Sequence, residues 1–432
     1  MRIAVIGAGM AGVTTAYELA REGHEVTVFE RRGGVAAEGS FAPASVAAPG
    51  LWIAHPGAPA DVGMEHVNAP ALALAWRLNR WRARRKPGRA TRLQCMADLT
   101  LLAQQRRRAA IDAHQLEFEH HQGVLALLRT PGHAKRVQSL LDSPMGKALP
   151  VRWLGPEEAR LVEPGLDQGW PVHAALHWPH GETANGRQFG QALKTVTQQF
   201  GALFQFQLEV TAMRPAPGSD RVELQWARSH EFAETTLGTS GGTGATTVPA
   251  DAEPIFDAAI ICSAEAALRL LGRQIGRKTG HVTHLCSVTA PLREPNEAGE
   301  SFAPLGAVLD PARGVTIARM GERIRVAGAA RLGPPPPRTA PGALDDLYGA
   351  LEESFPGAAR TAKAHPWVGR QWATADGLPL VGPSGMPGVW LHCGHATQAW
   401  AWTPATARLL ADQLAGRSSD VDPAPLAPSR LG

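Results

Sequence analysis

The sequence predicts an α/β protein in which a discontinuous Rossmann-like dinucleotide domain is combined with an inserted α+β domain built on a mixed sheet. Three observations predict it. The N-terminus reads strand, glycine turn, helix, strand, acid. No train of further βα units follows directly. After a long middle of mixed and alternating segments, the C-terminus returns to a strand, a turn and a helix.

Arg2 to Ile6 is a short apolar run with β-branched residues. Gly7, Gly9 and Gly12 follow in G-x-G-x-x-G spacing, a helix is expected over Met10 to Arg21, and Gly23 ends it. His24 to Phe29 is the second strand, and Glu30 closes it. Each part has a physical role. Gly7 permits the tight turn, Gly9 lets backbone approach a pyrophosphate, and Gly12 lets helix and strand pack closely. The helix N-terminus offers N–H groups and partial positive charge to phosphates. Glu30 is placed to accept from ribose hydroxyls. Ile6, Ala8, Met10, Ala11 and Arg31 are the neighbours expected to line this site. The alternative is a buried βαβ unit with no ligand.

The segment is not expected to be a signal peptide, because Glu18, Arg21, Glu22 and His24 interrupt its apolar run. No window reaches the roughly 18 apolar residues of a membrane span. Cys95, Cys262, Cys286 and Cys393 are scattered without a CxxC pair, which argues against zinc or a disulfide framework and fits a reducing compartment. A cytoplasmic location is expected, and no metal. The 432 residues suffice for two domains, and a net charge of +4 does not suggest nucleic acid.

Trp76 to Arg92 is basic with interleaved tryptophans. It reads either as a solvated helix face and loop, which is favoured, or as a peripheral contact to the cytoplasmic face of a membrane. Arg106, Arg107 and Arg108 are read as the polar face of a helix through Leu99 to Leu116. Strands are expected at Phe204 to Met213, Val222 to Ala227, Phe256 to Cys262 and Val389 to Cys393. A turn is expected over Gly394 to Trp402, and helices over Gly186 to Gln199, Leu344 to Ser354 and Pro404 to Ala415. Thr235 to Pro254 reads as a flexible insertion, Gly333 to Gly342 as a stiff loop, and the tail after Gly416 as frayed.

Several local words then resemble the FAD-dependent D-amino-acid oxidase superfamily, and within it the bacterial D-amino-acid dehydrogenase small subunits, over Met1 to about Gly416. They are the fingerprint; Glu38 to Val46 (EGSFAPASV), similar to a loop that runs beside the flavin and includes Ser40; and Leu176 to Phe189 (LHWPHGETANGRQF). Asp257 to Ala264 (DAAIICSA) and Arg319 to Gly328 (RMGERIRVAG) follow. The most specific is Ala375 to Pro383 (ADGLPLVGP) with Gly388 to Trp400 (GVWLHCGHATQAW). The resemblance implies an FAD-binding domain from residues 1–75, 165–275 and 368–432, and a substrate domain from 76–164 and 276–367, with 235–254 as the insertion.

The resemblance also implies oxidative deamination of an amine or amino acid, with hydride passing from Cα to the flavin. The acceptor would be a quinone or respiratory chain in a dehydrogenase, or dioxygen in an oxidase. FAD contacts are implied for Gly394, His395, Ala396 and Thr397, and for Val210 at the adenine. A substrate carboxylate needs a fixed cation, for which Arg319 is preferred over Arg370. His284 and His395 are further substrate candidates. His120 and His121 are weaker ones, and Trp400 and Trp402 are pocket walls or core. The chain departs from the family pattern in several places. Gln371 stands where an arginine is expected, His284 to Ser287 (HLCS) lacks a tyrosine, and Pro43, Ser45, Ala264, Ala396 and Ala399 replace an asparagine and glycines. Those changes leave open another amine substrate of glycine, sarcosine or tRNA-modification type, or a non-catalytic flavoprotein.

Overall fold

The computed structural model describes residues 1–55, 66–67, 74, 76–78, 81, 88–229, 254–272, 280–294, 302–328, 331–332 and 341–431. Its N-terminal sheet has six strands, in the spatial order Leu380–Pro383, Val389–Cys393, Ala258–Ile261, Arg2–Ile6, Glu25–Glu30 and Leu203–Phe206. All neighbours are parallel except the first pair. The central strands Arg2–Ile6 and Ala258–Ile261 are buried and apolar, as a sheet covered on both faces requires. The fingerprint helix Met10–Arg21 packs beside Gly186–Gln199 and Ala399–Leu414, and the long helix Arg89–His114 covers the last of these. The nucleotide sheet is thus assembled from chain segments hundreds of residues apart.

The second sheet has eleven strands and mixed pairing. Its middle runs through Ala174–Ala184, His120–Leu128, Ala307–Asp310, Val315–Met320, Arg323–Gly328 and Gly280–Pro291, with His365–Thr374 also paired to the last. One face of Val315–Met320 and Arg323–Gly328 packs on the helix Pro341–Ser354 through Ile317, Ile324, Val326, Leu347 and Leu351. A three-stranded antiparallel sheet, Leu208–Pro215, Val222–Arg228 and Ile255–Phe256, lies beside the nucleotide sheet.

Several sequence expectations need correction. The expected strand Phe204 to Met213 is two strands, broken at Gln207 by a left-handed φ of 61°. Phe256 to Cys262 splits at Asp257 between two sheets. The last helix starts at Ala399, not Pro404, so the proline lies inside it. The tail is anchored: Leu426 is buried, and Arg430 Nε donates to Asp376 at 2.7 Å. Arg107 is buried rather than on a polar face. Trp76 packs edge-on to His281 with ring centroids 5.0 Å apart, so it is core and not a membrane anchor, while Trp81 is exposed. The insertion 235–253 and the loop 333–340 lie outside the described residues. No described helix is long and apolar enough to cross a membrane. All four cysteines are buried free thiols.

Candidate cofactor cleft and substrate cavity

A cleft enclosing about 1100 Å³, its open mouth included, runs along the carboxyl ends of the nucleotide strands. One end is walled by Gly7, Gly9, Met10, Ala11 and Glu30, the other by Gln371, Gly394, His395 and Ala396. Ser40 and Glu265 flank it. Open α/β sheets place ligands in this position.

The glycines divide the work as their spacing implies. Gly7 takes a φ of +102°, which only glycine adopts without strain. A Cβ on Gly12 would collide with the carbonyl oxygen of Gly7, so helix and turn approach closely only there. A Cβ on Gly9 would meet only Ser40 Oγ, at 3.4 Å, and would otherwise project into the cleft. Met10 N donates to Ser40 Oγ at 3.3 Å, tying the flavin-loop word to the helix N-terminus. Glu30 accepts from Ala8 N and from Arg32 N, both at 2.7 Å. Burial raises its carboxyl above the usual range, and the two N–H groups oppose that.

A smaller cavity continues from the cleft past Ile6, Glu30, Arg31 and Val210. Across it Arg31 Nη2 donates to Glu38 at 2.8 Å and to Glu265 at 2.9 Å. Arg31 therefore links the second strand, the loop and the helix Ala264–Leu271. Glu38 and Glu265 were not among the sequence-based candidates.

At the far end, the turn after Val389–Cys393 carries a buried network. Thr406 Oγ1 donates to the Trp402 carbonyl at 3.0 Å. It also lies 2.7 Å from His392 Nε2 and 2.9 Å from His395 Nε2. A hydroxyl has one proton to give, so at least one of the two imidazoles donates to Thr406 through Nε2. Burial holds both rings neutral. His392 falls to about 3, and His395 falls well below its ordinary value with His392 adding to the effect. His395 thus lines the cleft, but its Nε2 is committed to Thr406. Ala396, which replaces a glycine of the family pattern, keeps a left-handed φ of 48°, and Ser45 in the flavin-loop word keeps 50°. The backbone retains glycine's conformation with alanine and serine in place.

A second cavity adjoins the cleft. Pro43, Ala44, Ser45, Thr397 and Gln398 wall it on one side, and Leu285, Leu309, Asp310, Thr316 and Ala327 of the large sheet on the other. The loop from Ser40 to Ser45 and the turn from Gly394 to Gln398 each pass from one cavity to the other. Ser287 Oγ donates to the Ala42 carbonyl at 2.7 Å, and Arg325 Nη1 to the Pro43 carbonyl at 3.1 Å, so the sheet holds the loop directly.

The structure does not bring all sequence candidates together. Arg319 lines neither cavity; it shares a strand face with Ile317, and its Nε donates to the Gly321 carbonyl at 3.1 Å. His284 also lines neither, since it faces away from Leu285 and Ser287 on its strand. Arg370 reaches the cleft rim, 60% exposed and 3.8 Å from Glu265. Gln371, one residue on, faces the loop and donates Nε2 to the Gly39 carbonyl at 3.1 Å. His121 Nε2 accepts from Gly321 N at 3.2 Å, and His120 is exposed. Trp402 is core, its indole donating to Thr100 at 3.0 Å. Arg325 was missed although it lies within the Arg319 to Gly328 word. The strand parity that separates it from Arg319 was not readable across the Gly321 turn.

A dinucleotide cradle joined by one loop and one turn to a cavity in a second sheet is the layout of a flavin-dependent oxidoreductase. The residues fit FAD: the cradle is kept clear at Gly9, and the turn at Ala396 keeps its left-handed backbone. A family model described as DAO, FAD dependent oxidoreductase, matches residues 2–413, and the chain belongs to this family. It is 30% identical to a D-amino acid dehydrogenase of Cereibacter sphaeroides over 99% of this chain and 94% of that one. It is 32% identical to another of Methylobacterium nodulans, over 98% of this chain and 97% of that one. Among solved structures it is similar to glycine oxidase from Geobacillus kaustophilus, with a TM-score of 0.68, 21% identity, and 99% and 97% of the two chains covered. L-proline dehydrogenase from P. horikoshii gives 0.67 and 16%, with 100% and 97% covered.

Proposed function

We propose that this FAD-dependent oxidoreductase oxidatively deaminates D-amino acids and passes the electrons to an acceptor other than dioxygen. The observation that carries the reading is that one loop, Ser40 to Ser45, and one turn, Gly394 to Gln398, each run from the cleft to the second cavity. Similarity over nearly the whole chain to proteins named D-amino acid dehydrogenase supports the substrate class and the acceptor. Bound FAD would supply the hydride acceptor. Gly7, Gly9, Gly12 and Glu30 would hold its pyrophosphate and ribose, and Val210 would meet its adenine. The neutral pair His392 and His395 shapes the turn without adding charge to the cleft floor. Apolar walls in the second cavity would exclude water from the reacting carbon.

Turnover with an artificial quinone acceptor tests this reading. Equimolar ammonia and 2-oxo acid are expected from a D-amino acid, and the L-enantiomer should be inert. Release from neither enantiomer overturns it. A second reading, another amine substrate, is favoured by Gln371, whose buried Oε1 has no hydrogen-bond partner among the described residues. Turnover of glycine or sarcosine in preference to D-amino acids would decide for it.

A further inference from the structure

We propose that Gln371 and Thr283 form an uncharged polar subsite at one end of the cofactor cleft, and that its ligand is an N–H group. This rests on the reading of a flavin enzyme acting on an amine, which supplies two such groups, a ring N–H of the flavin and the amino group of the substrate. Gln371 lines the cleft with Gly394, His395 and Ala396. Its Nε2 donates to the Gly39 carbonyl at 3.1 Å. A carbonyl takes only a donor, so that bond fixes which end of the amide is which. Oε1 is the end left over. It is an acceptor, buried, with no hydrogen-bond partner among the described residues.

The strand pairing supplies the second group. Thr283 stands directly opposite Gln371, so the two side chains share a face. Ser287, four residues on, shares it too and holds the same loop at the Ala42 carbonyl, 2.7 Å away. Thr283 thus lies between the two side chains that anchor the loop. It is fully buried, and its Oγ1 also has no partner among the described residues. His281, two residues earlier on that face, leaves Nε2 unpartnered as well, and burial holds its ring neutral. Buried polar atoms are nearly always paired, so three unpaired ones on a single face mark a place for a ligand.

Charge decides which ligand. Glu30, Glu38 and Glu265 line the cleft, and Arg370 is its one guanidinium among the described residues. Arg370 takes the other face of its strand from Gln371 and meets Glu265 at 3.8 Å on the rim. An amide oxygen in this setting repels a carboxylate and accepts an N–H.

The test compares two ligands on the oxidised holoenzyme. 2-Aminoisobutyrate has no Cα–H to give up, and 2,2-dimethylpropanoate carries a methyl group in place of its amino group. Flavin absorbance and thermal shift read their binding. The reduction potential of the ligand-free flavin and the FAD dissociation constant are read beside them. Where the substrate supplies the N–H, the wild type binds 2-aminoisobutyrate at least about tenfold more tightly, and Gln371→Leu and Thr283→Val both narrow that ratio. Where the flavin supplies it, both variants lower the potential or weaken FAD binding about tenfold, because the reduced ring carries more N–H groups than the oxidised one. Variants that keep the wild-type ratio, potential and FAD affinity overturn the proposal. Thr283 does not hold the loop, so effects confined to Gln371→Leu trace to the lost Gly39 bond and overturn it as well. Should Gln371→Leu fail to retain flavin, Thr283→Val still decides. An enzyme that shows these effects but releases ammonia from no amine defeats only the functional reading. One that deaminates and shows none of them defeats only this proposal.

Discussion

Arg107 supplies the hydrogen bond that Pro404 withholds from Trp400. In the helix Ala399–Leu414 the Trp400 carbonyl would accept from residue 404, but proline has no N–H. Arg107 Nη1 donates to that carbonyl at 3.0 Å instead, and its Nε holds Glu182 at 2.9 Å. The guanidinium also lies 4.2 Å from the Trp400 ring centroid. One fully buried arginine thus joins the helix Arg89–His114, the strand Ala174–Ala184 and the helix that follows the cofactor turn.

Arg107→Met is expected to destabilise the protein by about 3–5 kcal/mol, because it strands Glu182 and the Trp400 carbonyl. Pro404→Ala restores the helical donor, so the double variant should recover about 1 kcal/mol beyond additivity. A double-mutant cycle in urea checks this; strict additivity would show that the carbonyl gains nothing from Arg107.

Gly9→Val and Gly12→Ala should fail differently. At Gly9 a side chain meets only Ser40 and then fills the cleft, so the variant should fold and purify without flavin. At Gly12 the added carbon strikes Gly7, so folding itself should suffer. Flavin content read beside the melting temperature separates the two. Full flavin in Gly9→Val would refute the assignment of the pyrophosphate site.

Ala396→Gly should be neutral or stabilising by up to about 1 kcal/mol, because a left-handed alanine carries strain that glycine lacks. Chemical denaturation measures it. A loss of more than about 1 kcal/mol would show that the methyl group contributes packing that outweighs the strain.

Acid should weaken the protein partly through His392 and His395. Both are held neutral in the folded state, with pKa values below the unfolded value near 6.5. The unfolded state therefore binds more protons below that pH. Their contribution is complete above pH 6.5 and is lost as pH falls, by about 1.4 kcal/mol per pH unit for each ring. Glu163 works the other way. Burial raises it to about 7 against the opposing N–H groups of Leu305 and Gly306, so its contribution is lost as pH rises from about 4.5 through 7. Comparing wild type with His392→Asn between pH 7 and 5 isolates the first effect, and the variant should show the shallower slope. Identical slopes would mean His392 is not held neutral.

The nucleotide half was legible because its signals are local. Glycine spacing, helix stop and terminal acid all fall within Met1 to Glu30; the structure ends the helix at Arg21 and places Gly7, Gly9 and Glu30 at the cleft. The substrate half was not, because its signals depend on register. Arg319 and Arg325 sit in two strands joined at Gly321, and only the pairing of Arg319 with Ile324 shows which arginine turns to the cavity side. The helix start at Ala399 was hidden by Pro404, since the residue that compensates for it lies almost 300 positions earlier in sequence. The adjacency of Arg370 and Gln371 was readable as a choice of face, and pairing with Gly280–Pro291 settles which of them meets the loop.

The central claim is that one bound flavin accepts electrons from an amino acid held in the adjoining cavity. Anaerobic titration of the purified protein with a panel of D-amino acids, glycine, sarcosine and proline tests it most directly. The predicted result is an oxidised-flavin spectrum that apolar D-amino acids bleach stoichiometrically. A flavin spectrum that no member of the panel bleaches would contradict it.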